Sequence, residues 1–409
     1  MKQQELLPHL FRTEYSKIVA VLCRHFGFDF IEQAQDIASD TFLAAMETWP
    51  FKGIPENAVA WLYTVAKNKA INHINRDKFF ADKVAKELNH KTTEEQEIDM
   101  SGKNITDSQL QMLFTVCNPL ITQEAQISLA LRILCGFGID EIATAFLSNK
   151  ETINKRLYRA KEKLRQANVQ MVFPPEREIN HRLEAVLATL YLLFSEGYYS
   201  ETQDEVMRKD LCVEAMRLTA LLMQNPQTNL PAVNALFALM CFHTSRFDAR
   251  KNERGEVVLY YDQDETRWNY ELIAKGAYYL KEAAQGDSIS KYYLEASIAY
   301  WHTIKDDSQE KWQHILKLYH QLLEVAYSPI AALNSIYAVS KVKGKKAAIA
   351  EAEKLQLADN HFYFTLLGEL YTDIDDAVAR KYLHKALKLA KTKSDKQIIR
   401  SKVDQFPAV

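Results

Sequence analysis

Apolar residues recur every three or four positions along almost the entire chain, the spacing that gathers them on one face of a helix. Glycine and proline, the strongest breakers of such a pattern, number only 11 and 10 in 409 residues, so the expected fold class is all-α with few interruptions. A first helical block covers residues 1–80 and closes on ENAVAWLYTVAKNKAINHINRDK. Residues 81–107 lose the period: seven acids (Asp82, Glu87, Glu94, Glu95, Glu97, Asp99, Asp107) stand against four lysines (Lys83, Lys86, Lys91, Lys103), which reads as an acidic linker. Residues 108–170 resume the rhythm, Pro174-Pro175 break it, and a third, larger helical unit spans 176–409. Within that unit, Arg254-Gly255-Glu256 followed by the β-rich run Val257 to Tyr261 predicts a small hairpin or an extended loop.

Composition narrows the class. The chain is too long for one ordinary core, and roughly two to four domains are expected. With 47% apolar and 25% charged residues it has a globular balance. The formal net charge is −2, so any surface for a polyanion has to be a local patch. The five cysteines (Cys23, Cys117, Cys135, Cys212, Cys241) are scattered and never two residues apart, an argument against a disulfide framework or a zinc ribbon and for a reducing cytoplasm. No stretch approaches the roughly 18 to 20 apolar residues that span a bilayer, and the start lacks the apolar run of an export signal, so no membrane association is expected. The histidines form no His-Glu-x-x-His pair, and there is no phosphate-cradling glycine loop and no nucleophile elbow. Neither an enzyme, a cofactor nor a metal site is expected.

The strongest local signal is GFGIDEIATAFLSNKETINKRLYRAKEKLRQ. Asp140 and Glu141 suit the first turn of a short helix, with Ile142, Ala143 and Phe146 facing inward. Ser148, three residues before Glu151, predicts a capping box that starts a second helix with an apolar stripe at Ile153, Leu157, Ala160 and Leu164. From Lys150 to Arg165 there are seven cations and two acids, a phosphate-seeking helix. With the stripe inward, Lys150, Asn154, Lys155, Tyr158 and Arg159 point outward as donors able to reach base edges in a major groove. The pattern is a helix-turn-helix.

Upstream, DIASDTFLAAMETW is followed by the Pro-bracketed loop PFKGIPEN and by AWLYTVAKNKAINHINR. These pieces, in this order, resemble the second sigma domain of extracytoplasmic-function sigma factors, and the helix-turn-helix block resembles their fourth. The resemblance implies partners: core RNA polymerase and promoter DNA. It implies that Asp36, Asp40, Phe42 and Leu43 dock on the clamp coiled coil of the polymerase largest subunit, although Ser39 stands where the family more often has glutamine. It also implies that the loop from Trp49 to Asn57 receives an extruded base of the downstream, −10 element, and that the helix-turn-helix reads the −35 element. Phe51, Lys52 and Asn57 in the loop, with Lys67, Lys69, Asn72 and Arg76 on the next helix, offer the aromatic surface and cations that a separated strand needs. Trp61 is read as core, since Leu62, Val65, Ala66 and Ile71 continue an apolar face around it.

MLFTVCNPLITQEAQISLALR, LYLLFSEGYYS and DQDETRW further resemble the sigma factors that carry a large C-terminal extension of tetratricopeptide type, although Val116 and Asn118 stand where that subgroup commonly has Cys and His. In the tail, Phe364, Leu367, Gly368 and Tyr371 keep the first-helix spacing of such a repeat, and Ala379, Leu383 and Ala386 the second, once a loop residue is deleted. An ordinary helical hairpin is the plainer reading. The grouping of Asp262, Asp264, Arg267 and Trp268 is expected to be a buried ion-pair network between helices, and His243 and His302 to be packed histidines. The extension is expected to regulate the sigma core or to bind a protein or small-molecule partner. Two other function classes stay open: a DNA-binding regulator with a helical sensor domain, and a helical-repeat scaffold. Only a sigma factor needs the docking helix and melting loop of the first block.

Overall fold

The computed structural model describes residues 3–84, 97–146, 148–198, 208–253, 257–286 and 289–406; these form eighteen α-helices and no strand. The chain divides into two compact units, residues 1–192 and 193–409. The boundary falls inside a helix, well beyond the Pro174-Pro175 break.

Unit 1 opens with α1 (Gln3–Phe26), α2 (Ile31–Lys52) and α3 (Ala58–Val84). Tyr15, Ile18, Val19 and Leu22 form the buried stripe of α1. Gly27, at φ +93°, ends that helix by donating its N–H to the Cys23 carbonyl at 2.8 Å, a conformation that glycine adopts without strain. α2 buries Ile31, Ala34, Ala38, Phe42, Ala45 and Trp49, and Trp61 of α3 packs edge-on to Trp49 at 5.4 Å between ring centres. The helix α3 continues past residue 80 into the stretch expected to be linker.

The chain then returns as α4 (Gly102–Val116), whose first turn is capped by the Ser101 hydroxyl accepting from the Asn104 N–H. α4 lies along α1, and Gln109 donates to the Ser16 hydroxyl at 3.2 Å inside their buried seam. Next come α5 (Gln123–Leu129), continued by a π-helical turn over Ala130–Leu134, then α6 (Ile139–Ala145) and α7 (Lys150–Gln166). α8 (Glu176–Tyr198) crosses the boundary. Its first half belongs to unit 1: Arg182 donates to the Phe114 carbonyl and the Thr189 hydroxyl to Gln126 Oε1, both at 2.7 Å.

Unit 2 continues with α9 (Lys209–Met223), α10 (Pro231–Thr244), α11 (Tyr270–Ala283), α12 (Lys291–Trp301) and α13 (Gln309–Val325). It ends with α14 (Pro329–Lys343), α15 (Lys345–Ala352), α16 (His361–Tyr371), α17 (Asp376–Leu389) and α18 (Lys393–Val403). From α13 on, each helix packs chiefly against its neighbours in the chain, whereas α12 lies mainly along α10. α10 is the exception in burial: every residue from Val233 to Phe242 is buried, because α9, α11 and α12 cover it. Gly368 of α16 lets α17 approach so closely that a Cβ there would stand 2.6 Å from Leu383 Cγ. The helical hairpin expected in the tail is thus formed, with Phe364, Leu367, Ala379, Leu383 and Ala386 all buried.

The non-helical island between α10 and α11 is the extended loop expected, closed at its neck by antiparallel pairing. A single antiparallel bridge joins Lys251 to Val257, and the β-rich run turns into a 3-10 turn over Tyr260–Asp262. Tyr260 donates to the Ile304 carbonyl and Tyr261 to Asp307, so these aromatics are held by the connection between α12 and α13 instead of by a partner strand.

Candidate nucleic-acid interface

α2 presents an outward stripe at Asp36, Asp40 and Leu43, all exposed. Phe42 does not share that face: it is 4% exposed and packs on Phe11 at 5.1 Å between ring centres, because it continues the inward line Ala38, Phe42, Ala45, Trp49. Its place in the docking set is corrected to core. Met46, 59% exposed, extends the stripe in its stead. It lies one turn beyond Leu43, a signal present in the sequence.

At the end of α2, Phe51 is 89% exposed and Lys52 is exposed beside it. Gly53, at φ +81°, turns the chain out of the helix, its N–H bonded to the Trp49 carbonyl at 3.0 Å. Asn57 is committed locally: its side-chain oxygen accepts from the Ala60 N–H at 2.9 Å, capping α3. Along α3, Asn72 and Arg76 are exposed and Lys69 is half-buried. Lys67 is paired with Glu97, whose carboxyl is held below the usual range by that hydrogen bond and charge. Glu97 belongs to the acidic stretch, and Ile98 beside it is buried. Lys67, Tyr63 and Thr64 line a groove with residues 97–100.

The segment expected to be a helix-turn-helix forms α6 and α7. Glu141 accepts from the Gly138 N–H at 2.7 Å at the start of α6. The cap of α7 is Asn149, whose side chain accepts from Thr152 N–H at 2.7 Å, in place of the expected Ser148. Ile153, Leu157, Ala160 and Leu164 are buried as the stripe predicts. Asn154, Lys155, Tyr158 and Arg159 are exposed together on the outer face, and Lys150 at the helix start is exposed too. Lys150 reaches Asp140 at 2.7 Å and Lys155 reaches Glu151 at 2.6 Å; surface pairs of this kind are worth at most about 1 kcal/mol and yield readily to a phosphate.

Two of the seven cations are used differently. Lys161 meets Glu32 of α2 at 2.5 Å, and Arg165 pairs with the same carboxylate and lies 3.9 Å from Asp29. A cleft of about 720 Å³ opens between α7 and the start of α2, lined by Asn154 and Tyr158 on one wall and Glu32 and Gln33 on the other. Nothing in the local pattern of either helix announces this pairing, which depends on how distant segments pack.

The remaining expected features are structural. DQDETRW is a capped turn: Asp264 accepts from the Thr266 N–H at 2.9 Å, Arg267 donates to the Lys251 carbonyl at 3.0 Å, and Trp268 is buried. Asp262, Asp264 and Arg267 are exposed, so the buried ion-pair network is corrected. Asn118 turns the chain after α4, its side chain accepting from the Leu120 N–H at 3.0 Å. His243 and His302 are packed among aromatic rings, and burial lowers both, His302 to about 3. All five cysteines are buried, and burial pushes the Cys117, Cys212 and Cys241 thiols up to about 12. Among the described residues no three His, Cys, Asp or Glu side chains converge as a metal would require, and no helix is long and apolar enough to cross a membrane.

Comparison with known families fits this geometry. The profile for Sigma-70 region 2 matches residues 10–79, the block that holds the outward stripe of α2, the Phe51 loop and α3. A family of unknown function (DUF6596) matches residues 182–284. The N-terminal block is therefore a Sigma-70 region 2 domain, the class of domain by which sigma factors engage core RNA polymerase and promoter DNA. Over 389 residues, covering 93% of this chain and 92% of the relative, the chain is 31% identical to an uncharacterized protein of Rhizobium meliloti (strain 1021), and it belongs to the same family as that protein. No solved structure gives a significant match.

Proposed function

We propose that the chain is a cytoplasmic sigma factor of the extracytoplasmic-function type, and not an enzyme. The observation that carries this reading is the continuity of two exposed surfaces within the region 2 match: the Asp36, Asp40, Leu43 stripe of α2 runs directly into the Phe51 loop. An acidic and apolar stripe suits a protein partner, and we assign it to the polymerase clamp. An exposed aromatic beside Lys52 suits an unstacked base, and Lys67, Lys69, Asn72 and Arg76 suit the backbone of the separated strand. On this reading residues 1–80 form sigma domain 2, 81–107 the linker and 108–170 sigma domain 4. Lys150, Asn154, Lys155, Tyr158 and Arg159 then read the upstream element.

Residues 176–409 are proposed as a tetratricopeptide-type helical extension that modulates the sigma core. Neighbour-to-neighbour helix packing and the close Gly368 contact support that assignment. Its truncation should spare α8, because Arg182 and Thr189 hold Phe114 and Gln126. Transcription gained on deleting residues 199–409 would mark inhibition, and transcription lost a positive role.

The decisive test is co-purification with bacterial core RNA polymerase, with an Asp40→Lys, Leu43→Lys double variant as control. Binding by the wild type and its loss in the control is the expected result. Failure of the wild type to bind favours a DNA-binding regulator, for which the capped, cationic α7 suffices.

A further inference from the structure

Around the Tyr260 ring, unit 2 buries charge and hydrogen-bonding capacity that its described residues leave unanswered. Arg246, just past α10, is 8% exposed, and its guanidinium carbon stands 5.6 Å from the centre of that ring. Its Nε is buried without a hydrogen-bond partner, and among the described residues no carboxylate pairs with it. Lys311 of α13, 1% exposed, lies 5.3 Å from the same ring centre. It donates to the Tyr260 hydroxyl at 3.1 Å and to the Ile304 carbonyl at 2.5 Å, both neutral oxygens. Asp307 is engaged elsewhere, by Lys341 at 3.0 Å and by the Trp312 indole at 2.6 Å.

Two further groups complete the set. The Trp268 ring stacks on Tyr260 at 6.4 Å between centres, and its buried Nε1–H has no partner. His302 meets Tyr260 edge-on at 5.4 Å. Burial first, and then the charges of Arg246 and Lys311, lower His302, as a net positive surrounding should. Tyr260 and His302 are only half-buried, so the cluster reaches the surface.

A buried cation without a counter-charge is costly, and contact with one aromatic face offsets only part of that cost. Two such cations beside one ring call for a dianion. A phosphate group carries about −1.5 to −2 charges at neutral pH, and the guanidinium fork of Arg246 matches its oxygens. A carboxylate, with a single charge, would leave one cation unbalanced.

We propose that this cluster is a phosphate site: Arg246 and Trp268 donate to the oxygens, Lys311 supplies the second charge, and the bound group ties the loop between α10 and α11 to the end of α12 and the start of α13. The site goes beyond the sigma reading and stands without it. Its occupant is inorganic phosphate or a phosphate ester, which share the chemistry recognised.

The full-length chain with isotope-labelled tryptophan can be titrated with sodium phosphate at constant ionic strength, the Trp268 indole signal being assigned by its loss in Trp268→Phe. That signal should shift and saturate. Arg246→Met, which keeps the side chain's bulk and removes its charge, should abolish the saturation. Arg267→Met, which alters an exposed arginine of the same turn, should leave it unchanged. Trp268→Phe, followed by calorimetry, should weaken binding about tenfold. Acetate should leave the signal in place over the same range. Glycerol phosphate binding more tightly than inorganic phosphate would mark an ester as the natural occupant, and weaker binding the free ion. An indole signal indifferent to both phosphates, saturation that survives Arg246→Met, or acetate binding as well as phosphate would each overturn the site.

Discussion

The two units reach a buried core by opposite routes. In unit 1, α1 packs on α4 from across the whole acidic linker, so helices distant in sequence depend on one another. In unit 2, α13 to α18 lean chiefly on the helices before and after them. The first arrangement couples the region 2 block to the block that carries α6 and α7; the second makes stability nearly a sum of local terms. A defect should therefore spread in unit 1 and stay local in unit 2.

The largest effects test that contrast directly. Leu22, fully buried in α1, should cost about 3 kcal/mol when replaced by alanine. Hydrogen exchange should rise across α1, α2 and α4 together. Gly368→Val forces atoms against Leu383 at a cost of about 2 kcal/mol or more, yet exchange should rise in α16 to α18 with α10 still protected. Equal spreading in both variants would dissolve the distinction.

Acid should single out unit 2 next. His302 is held near 3 and His243 well below its ordinary value of 6.5, both by burial. In the unfolded chain both take up protons near 6.5, so below that pH the unfolded state binds more protons and gains. Their contribution is fully present above about pH 6.5 and diminishes as the pH falls toward 3. The melting temperature of unit 2 should drop between pH 7 and pH 5, and His302→Phe should flatten that slope. The smallest effect concerns α7: Arg159→Ala should weaken duplex binding and reduce the salt slope by about one. An unchanged slope would remove Arg159 from the phosphate contacts.

Much of this was legible in the chain because helical burial is periodic. The stripe Ile153, Leu157, Ala160, Leu164 and the outward set on α7 follow from spacing alone, as does the tail hairpin. Phe42 was legible too, since it continues Ala38 toward Ala45 and Trp49, but the resemblance drew it to the docking face. Choosing Asn149 over Ser148 as the cap is a difference of one residue between two competent side chains. Glu32 was not legible. Its partners lie some 130 positions away, and a carboxylate on an exposed helix turn carries no local sign of what it will meet. The 3-10 turn that ends the β-rich run was hidden for a similar reason: Tyr260 and Tyr261 bond to Ile304 and Asp307, which no window around residue 260 contains.

The neighbour-to-neighbour stacking of unit 2 has a mechanical corollary. Pulled from its C terminus, such a stack has no single bond plane that must shear before anything else gives. α18 peels from α17, then α17 from α16, each step releasing a short length of chain against a modest force. Unit 1, clasped across α1 and α4, resists until that seam fails and then yields all at once. Under tension one chain would thus behave as a soft ratchet joined to a brittle block.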